Sequence, residues 1–224
     1  MTHAEGLRKS HYNHPCIIAQ TLDVLGDRWT LLILRDLMTG LSRYGDILEN
    51  CAGMSPNVLS DRLKRLEVEG LVNREYFRAL PPRVEYTLTA KGRAVRPILL
   101  ALLDWGRTYI ATIEEESVGT DISTDFVVRS VPTFLFRPER SLEIAAIMVI
   151  EISGCEGCNT WSFDIRGGVI RPRRQGSEGA EVYLKTDTHG FFRFVRGEAV
   201  PEECGELTGC CETAAAIQAC FLTA

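Results

Sequence analysis

Eight cysteines, at positions 16, 51, 155, 158, 204, 210, 211 and 220, are the residues of this chain whose types could do chemistry most readily. Such a set in a cytosolic protein, the expected setting here, points to free thiols, a metal or redox sensing rather than a disulfide framework. "GCEGC" spaces Cys155 and Cys158 as Cys-x-x-Cys between glycines that let a loop curl. That spacing supplies half of a zinc site. Cys204, Cys210, Cys211 and His189 are the available further ligands, but no second Cys-x-x-Cys completes the pattern. The pair also suits a redox disulfide, and plain thiols are the remaining reading; no cofactor is expected. Cys16 differs by position. It opens the first helical pattern, where unpaired backbone N–H groups and the helix dipole lower a thiol pKa; a small buried thiol is the alternative. Four histidines, at 3, 11, 14 and 189, make no histidine–carboxylate constellation, so no enzyme of hydrolase type is indicated.

Charge narrows the partners. The net charge is −5 over 224 residues. Residues 1–118 balance at 15 Lys+Arg and 15 Asp+Glu, while residues 119–224 hold 10 and 15. Neither half is broadly basic, so nucleic-acid binding must rest on a few well-placed cations. No apolar run reaches the roughly 18 residues of a membrane span, and the N-terminus lacks the apolar stretch of a signal peptide. A cytoplasmic protein without membrane contact is expected.

The elements that would position those cations begin with "CIIAQTLDVL", which places Ile18, Leu22 and Leu25 on one helical stripe, with Pro15 at its entry and Gly26 at its exit. Asp27 is a cap for a second helix, "RWTLLILRDLM", apolar nearly all round and therefore buried. Ser42 is a cap for a short third helix with Tyr44, Ile47 and Leu48 inward. The stretch "MSPNVLSDRLKRLEVEGLVNREYF" then changes rhythm within itself. Ser55 is an N-cap and Pro56 fits the first turn. Leu59, Leu63 and Leu66 form a buried stripe, Asn57, Ser60, Asp61 and Lys64 lie opposite, Arg65 flanks them, and Gly70 ends the helix. Alternation over 72–77 predicts a strand, "RALPPR" a turn, and "VEYTL" the returning strand. Thr89 caps a longer helix over roughly 90–115, interrupted at Pro97. These helices, a two-stranded ribbon and a closing helix make a winged helix-turn-helix. Its fourth element buries one face and leaves the other polar enough to enter a major groove.

These residues carry a resemblance. "CIIAQTLDVLGDRWTLLILRDLMTGLSRYGDIL", "MSPNVLSDRLKRLEVEGLVNREYF" and "PPRVEYTLTAKGRAVRPILLALLDWG" strongly resemble the HxlR-type transcriptional regulators, winged-helix proteins related to the MarR group. The match spans about residues 13–107. It implies a homodimer whose two recognition helices read a pseudo-palindromic operator on double-stranded DNA. Phosphate contacts are expected from Arg43, Arg78 and Arg83, with Ser55 at the helix start, and base contacts from Asn57, Ser60, Lys64 and Arg65. Relatives commonly carry Arg or Lys near the position of Asn57, so the preferred sequence does not transfer. Some use a cysteine at the position of Cys16 to sense oxidants or electrophiles, which makes Cys16 the candidate sensor. The apolar circumference of "AVRPILLALLDWGRTYIATI" supports dimerisation independently; docking of this helix on the second half of the chain is the alternative.

A short acidic linker over about 114–124 divides residues 1–118 from 119–224. Beyond it "FVVRSVPTFLFRP" reads as strand, "SLEIAAIMVIEI" as helix or buried strand, "TWSFDIRGGVIRPRR" as a hairpin, and "AEVYLKTD" as another strand. "THGFFRFVRGE" and "CCETAAAIQACFL" read as helices. The class is α+β, with a mixed or antiparallel sheet in the second domain. The last 40 or so residues loosely resemble a sterol-carrier-protein-type domain, which implies an apolar pocket and a small-molecule effector. Trp161, Phe191, Phe192 and Phe194 are candidates to line it, ordinary core being the other reading. The function expected is a DNA-binding transcriptional regulator acting as a homodimer, with repression as its sign and effector or redox sensing by the second domain or Cys16. The competing functions are a small-molecule or lipid carrier whose winged helix serves protein association, and a thiol-redox enzyme built on Cys155 and Cys158.

Overall fold

The computed structural model describes residues 12–78, 82–110, 124–153, 160–176 and 178–221. The chain divides into two compact units, Met1–Thr108 and Tyr109–Ala224, each built on its own cluster of buried side chains. The expected linker falls almost wholly outside the described residues.

The first unit runs α1 (Ile17–Leu25), α2 (Thr30–Met38), α3 (Tyr44–Asn50), α4 (Pro56–Val68), β1 (Val72–Phe77), β2 (Arg83–Leu88), α5 (Ala90–Arg93) and α6 (Arg96–Tyr109). Trp29, rather than Asp27, holds the N-cap position of α2; Asp27, two residues earlier, accepts from the backbone N–H of Trp29 at 2.9 Å and of Thr30 at 3.1 Å and so ties the turn that enters the helix. Ile33, Leu34, Ile47 and Leu59 are fully buried, and Leu63 and Leu66 nearly so, which makes the core between α2, α3 and α4. At the end of α4 the N–H of Leu71 returns to the carbonyl of Leu66 at 2.9 Å, and Gly70 N–H to Glu67 at 3.0 Å. This closure requires the left-handed φ of +70° that Gly70 supplies. The chain is thereby turned straight into β1, which pairs antiparallel with β2 from Val72↔Leu88 to Phe77↔Arg83.

Three further expectations for this unit need correction. Ser42 does not cap α3; Arg43 holds that position, and the Ser42 carbonyl accepts instead from Tyr86 N–H at 2.8 Å, tying α3 to the ribbon. Only Leu25 of the α1 stripe is buried, while Ile18 and Leu22 are exposed. The closing helix is two helices. Thr89 caps α5 by accepting from Gly92 N–H at 3.1 Å, the break falls at Ala94–Val95, and Pro97 is the second residue of α6, where its missing N–H costs nothing.

The second unit has a five-stranded mixed sheet in the order β5-β4-β3-β6-β7. Its strands are β3 (Ala145–Ile152), β4 (Thr160–Arg166), β5 (Val169–Arg174), β6 (Val182–Thr186) and β7 (Glu206–Gly209). β3 pairs parallel with β6, and the other pairs are antiparallel. The β4–β5 hairpin turns on Gly167 and Gly168, both at positive φ (54° and 80°), the conformation of a two-residue turn whose twist matches the strands. Helices α7 (Thr124–Ser130), α8 (Thr188–Arg196) and α9 (Cys211–Ala219) complete the unit. Alternation buries Val182, Leu184 and Thr186 of β6 on one face. The buried face packs with Phe191, Phe194 and Phe221 of the helical layer. "FVVRSVPTFLFRP" is helical rather than extended: α7 runs on into a π-helical turn over Val131–Leu135. An Asp125–Arg129 pair at 2.6 Å, one helical turn apart, supports α7 against the β-preference of its valines. The short strand β7 had no alternating apolar signal and was not expected. The architecture as a whole is α+β.

Candidate nucleic-acid interface

Helix α4 is held to its unit by a second set of contacts beyond its leucines. Arg62 approaches Asp27 at 3.4 Å, and the Arg65 guanidinium donates to the backbone carbonyl of Asp23. Tyr44 of α3 donates its hydroxyl to the Pro56 carbonyl at 2.5 Å and lies 3.2 Å from the Ser60 hydroxyl. The Ser55 hydroxyl accepts from Val58 N–H at 3.4 Å and so caps the helix. Leucines, arginines and tyrosine therefore fix both the tilt and the rotation of α4. What they leave outward is the stripe Asn57, Asp61, Lys64 and Val68, all exposed. Spacings of four, three and four residues keep that stripe on one face.

The ribbon flanks α4 in sequence. Arg78 and Arg83 are exposed at its tip end, with Arg83 stacked 5.0 Å from the Phe77 ring centroid and 2.9 Å from the Glu85 carboxylate. Arg43, also exposed, bridges to Glu85 through the backbone. Arg74 and Tyr76 of β1 are exposed beyond the arginines expected from sequence, and so are Asn73 and Glu75, with which they alternate, so both faces of the middle of β1 stay open.

A family model for HxlR-like helix-turn-helix proteins matches residues 24–114. An HTH-type transcriptional regulator of Synechocystis sp. is 39% identical over 111 residues, which cover 50% of this chain and 80% of the relative. The chain belongs to the HxlR-like helix-turn-helix family. YvaP, an HTH-type transcriptional regulator of Bacillus subtilis, is 41% identical over 91 residues, 41% of this chain and 84% of YvaP. Among solved structures, the oxidized form of the redox regulator HypR is 33% identical, with 43% of this chain and all of that one covered and a TM-score of 0.41. As a member of this family the protein is a DNA-binding transcriptional regulator of HxlR/MarR type, and not an enzyme. No helix among the described residues is long and apolar enough to cross a membrane.

Two residues of the expected base-reading set of this HxlR-like regulator are engaged elsewhere. Arg65 is turned inward onto Asp23, a half-buried tether, and Ser60 is half-buried beside Tyr44. The helical wheel places both near the polar face, but it carries no information on neighbouring helices. Cys16 is the N-cap residue of α1 and is exposed. The backbone N–H groups of Ala19, then Ile18, hold its thiol below the ordinary range. Cys16 N–H donates to His14 Nδ1 at 3.1 Å. His14 also lines a cleft of about 490 Å³ with Asn13, Pro15, Gln20 and Asp23.

In the second unit of the HxlR-like regulator, Phe191 and Phe194 are fully buried and Trp161 is 2% exposed. They are core side chains rather than the lining of an open pocket: Phe194 packs edge-on against Phe221 at 6.4 Å, and Phe136 does the same at 5.9 Å. Phe192 is half-buried beneath Arg196, 5.1 Å away. Cys155 and Cys158 lie outside the described residues. Cys204 and Cys220 are buried, Cys210 and Cys211 exposed. Among the described residues no three His, Cys, Asp or Glu side chains converge on a metal position.

Proposed function

We propose that this regulator is a homodimeric repressor that reads a pseudo-palindromic operator with α4. The observation that carries the reading is the orientation of α4, whose leucine and arginine contacts leave Asn57 and Lys64 outward at the head of a flanking basic ribbon. Asn57 and Lys64 read base edges. Arg43, Arg78 and Arg83 contact phosphates and set the register, with Ser55 at the start of α4 beside them. The two α4 helices of a dimer enter successive major grooves about 34 Å apart. Dimerisation is supported by the apolar side chains exposed on α1 and α6, among them Ile17, Leu102, Trp105 and Tyr109.

The second unit holds an effector, a role supported by the loose sterol-carrier-like pattern of its last strand and helices. Cys16 is the thiol switch: it is exposed at a helix start, and the backbone N–H groups there favour the thiolate, the form that oxidants attack. Modification there alters the dimer and releases DNA.

The test is a titration against the DNA upstream of the protein's own gene, at two salt concentrations, with random duplex as reference. Lys64→Ala lowers operator affinity by about 1–3 kcal/mol relative to random DNA. Arg83→Ala weakens both duplexes alike and flattens the salt slope by about one. Equal losses on both duplexes for both variants contradict the assignment. Run with diamide, the same titration shows release of the parent protein and retention of Cys16→Ser; a Cys16→Ser protein that is released like the parent removes Cys16 from the switch.

A further inference from the structure

Two adjacent thiols, Cys210 and Cys211, sit exposed at the start of α9, outside anything the DNA-binding reading uses. Their backbone is held in place. Gly209, at φ +108°, lies so close to the neighbouring strand that an added Cβ would fall 2.1 Å from the Glu181 carbonyl oxygen. Cys210 N–H donates to that same carbonyl at 3.2 Å, and Ala214 N–H closes the first turn onto the Cys210 carbonyl at 3.0 Å. The two thiols thus project from a fixed junction of β7 and α9.

Such a pair is poorly placed to oxidise onto itself. Adjacent Cα atoms are about 3.8 Å apart across a trans peptide, whereas a disulfide spans roughly 4.4–6.8 Å. It is equally poorly placed for zinc, which takes four ligands: Glu202 is hydrogen-bonded to Cys211, and no group of three or more His, Cys, Asp or Glu side chains placed to hold a metal ion occurs among the described residues. What remains is a centre that needs two sulfur ligands and no more. We propose that Cys210 and Cys211 form a dithiol site for a soft thiophilic centre, a monosubstituted trivalent arsenical being the simplest occupant. Soft thiolates prefer such centres over hard cations. The local chemistry gives the two thiols different parts. The Thr213 hydroxyl, then its backbone N–H, hold the Cys210 thiol below its ordinary range, so it attacks first. The Glu202 carboxylate beside Cys211 accepts its thiol proton in a hydrogen bond and holds that thiol in the protonated form. In the reaction, R–As(OH)2 and two thiols give R–As(S–Cys)2 and two waters. Two As–S bonds form, two As–O bonds break, each thiol proton leaves on a hydroxide, and arsenic stays trivalent.

Phenylarsine oxide tests this on the full chain with Cys16, Cys155 and Cys158 replaced by serine, which leaves Cys210 and Cys211 as the exposed cysteines. Intact mass spectrometry is expected to find one phenylarsenic group per chain with both thiols consumed. That adduct survives excess glutathione and is removed by ethanedithiol. Cys210→Ser and Cys211→Ser each reduce the bond to a single thiolate, lowering apparent affinity by roughly 10²–10⁴-fold and making the adduct labile to glutathione. Serine is a favoured N-cap residue, so Cys210→Ser keeps α9 intact, which circular dichroism verifies. In the protein with all its cysteines, arsenical binding also protects the 210–211 peptide from iodoacetamide. An adduct on either single variant as resistant as the parent's overturns the proposal, as does a parent adduct that glutathione strips.

Discussion

Two cysteines of the DNA-binding unit show how much local surroundings decide. Cys16 and Cys51 have the same side chain, yet one is exposed at a helix start and the other, the C-cap residue of α3, is 3% exposed. Burial first, then the Asp36 carboxylate, push the Cys51 thiol up to about 12 from 9.0, and its sulfur donates to Asp36 at 3.2 Å. Asp36 is itself fully buried and paired with Arg35 at 2.8 Å. The folded state therefore holds the Cys51 proton more tightly than the unfolded state does. Its contribution to stability is complete below pH 9 and is lost as pH rises toward 12. Thermal melts over that window are expected to fall less steeply for Cys51→Ala than for the parent, whatever the offset between them at neutral pH. Parallel melting curves in the two proteins refute the assignment. Iodoacetamide at pH 8 alkylates Cys16 before it reaches Cys51.

At the scale of elements, the sequence was most informative where a single period or a cap decides. Ser55-Pro56, the Leu59–Leu63–Leu66 stripe and Gly70 define α4 almost completely, because each acts within one helical turn. Capping and burial then make separable contributions to it. Ser55→Ala is expected to cost about 1 kcal/mol, since only the bond to Val58 N–H is lost. Leu63→Ala, at 1% exposure, is expected to cost roughly 2–5 kcal/mol and to leave a cavity under the helix. Urea unfolding measures both, and equal costs would mean that the stripe does not anchor α4. Sequence was silent where a long-range partner decides. Arg65 looks like a surface cation until Asp23, 42 positions earlier, is brought beneath it. The valines of "TDFVVRS" look like strand until Asp125 is found bonded both to Arg129 at 2.6 Å and to Arg174 on β5 at 2.9 Å. The aromatic helix α8 was legible as a helix, with Asp187 capping it at Gly190 N–H and Gly197 closing it in the left-handed region, but which ring would be core was not. A wheel gives faces, and only the packed fold says what each face meets.

At the scale of the whole molecule the decisive quantity is what covers the apolar side chains that the first unit's own core does not bury. Ile17 is 73% exposed on α1, and Trp105 and Tyr109 are 56% and 72% exposed on α6. Scattered singly these would need no explanation, but α6 also exposes Ile98, Leu102 and Leu103. In the proposed homodimer a two-fold axis makes each of these residues count twice, since the same patch is used by both subunits. An anchoring tryptophan at the centre of an interface is worth at least about 2 kcal/mol. Trp105→Lys then removes about 4 kcal/mol per dimer, close to a 10³-fold rise in the dissociation constant. Sedimentation velocity is expected to find Trp105→Lys monomeric at concentrations where the parent and Trp105→Phe are dimeric. The same variant loses operator affinity while keeping its contacts to a half-site, because two weakly held α4 helices no longer share one binding event. A Trp105→Lys protein that sediments with the parent would exclude this face of α6 from the dimer.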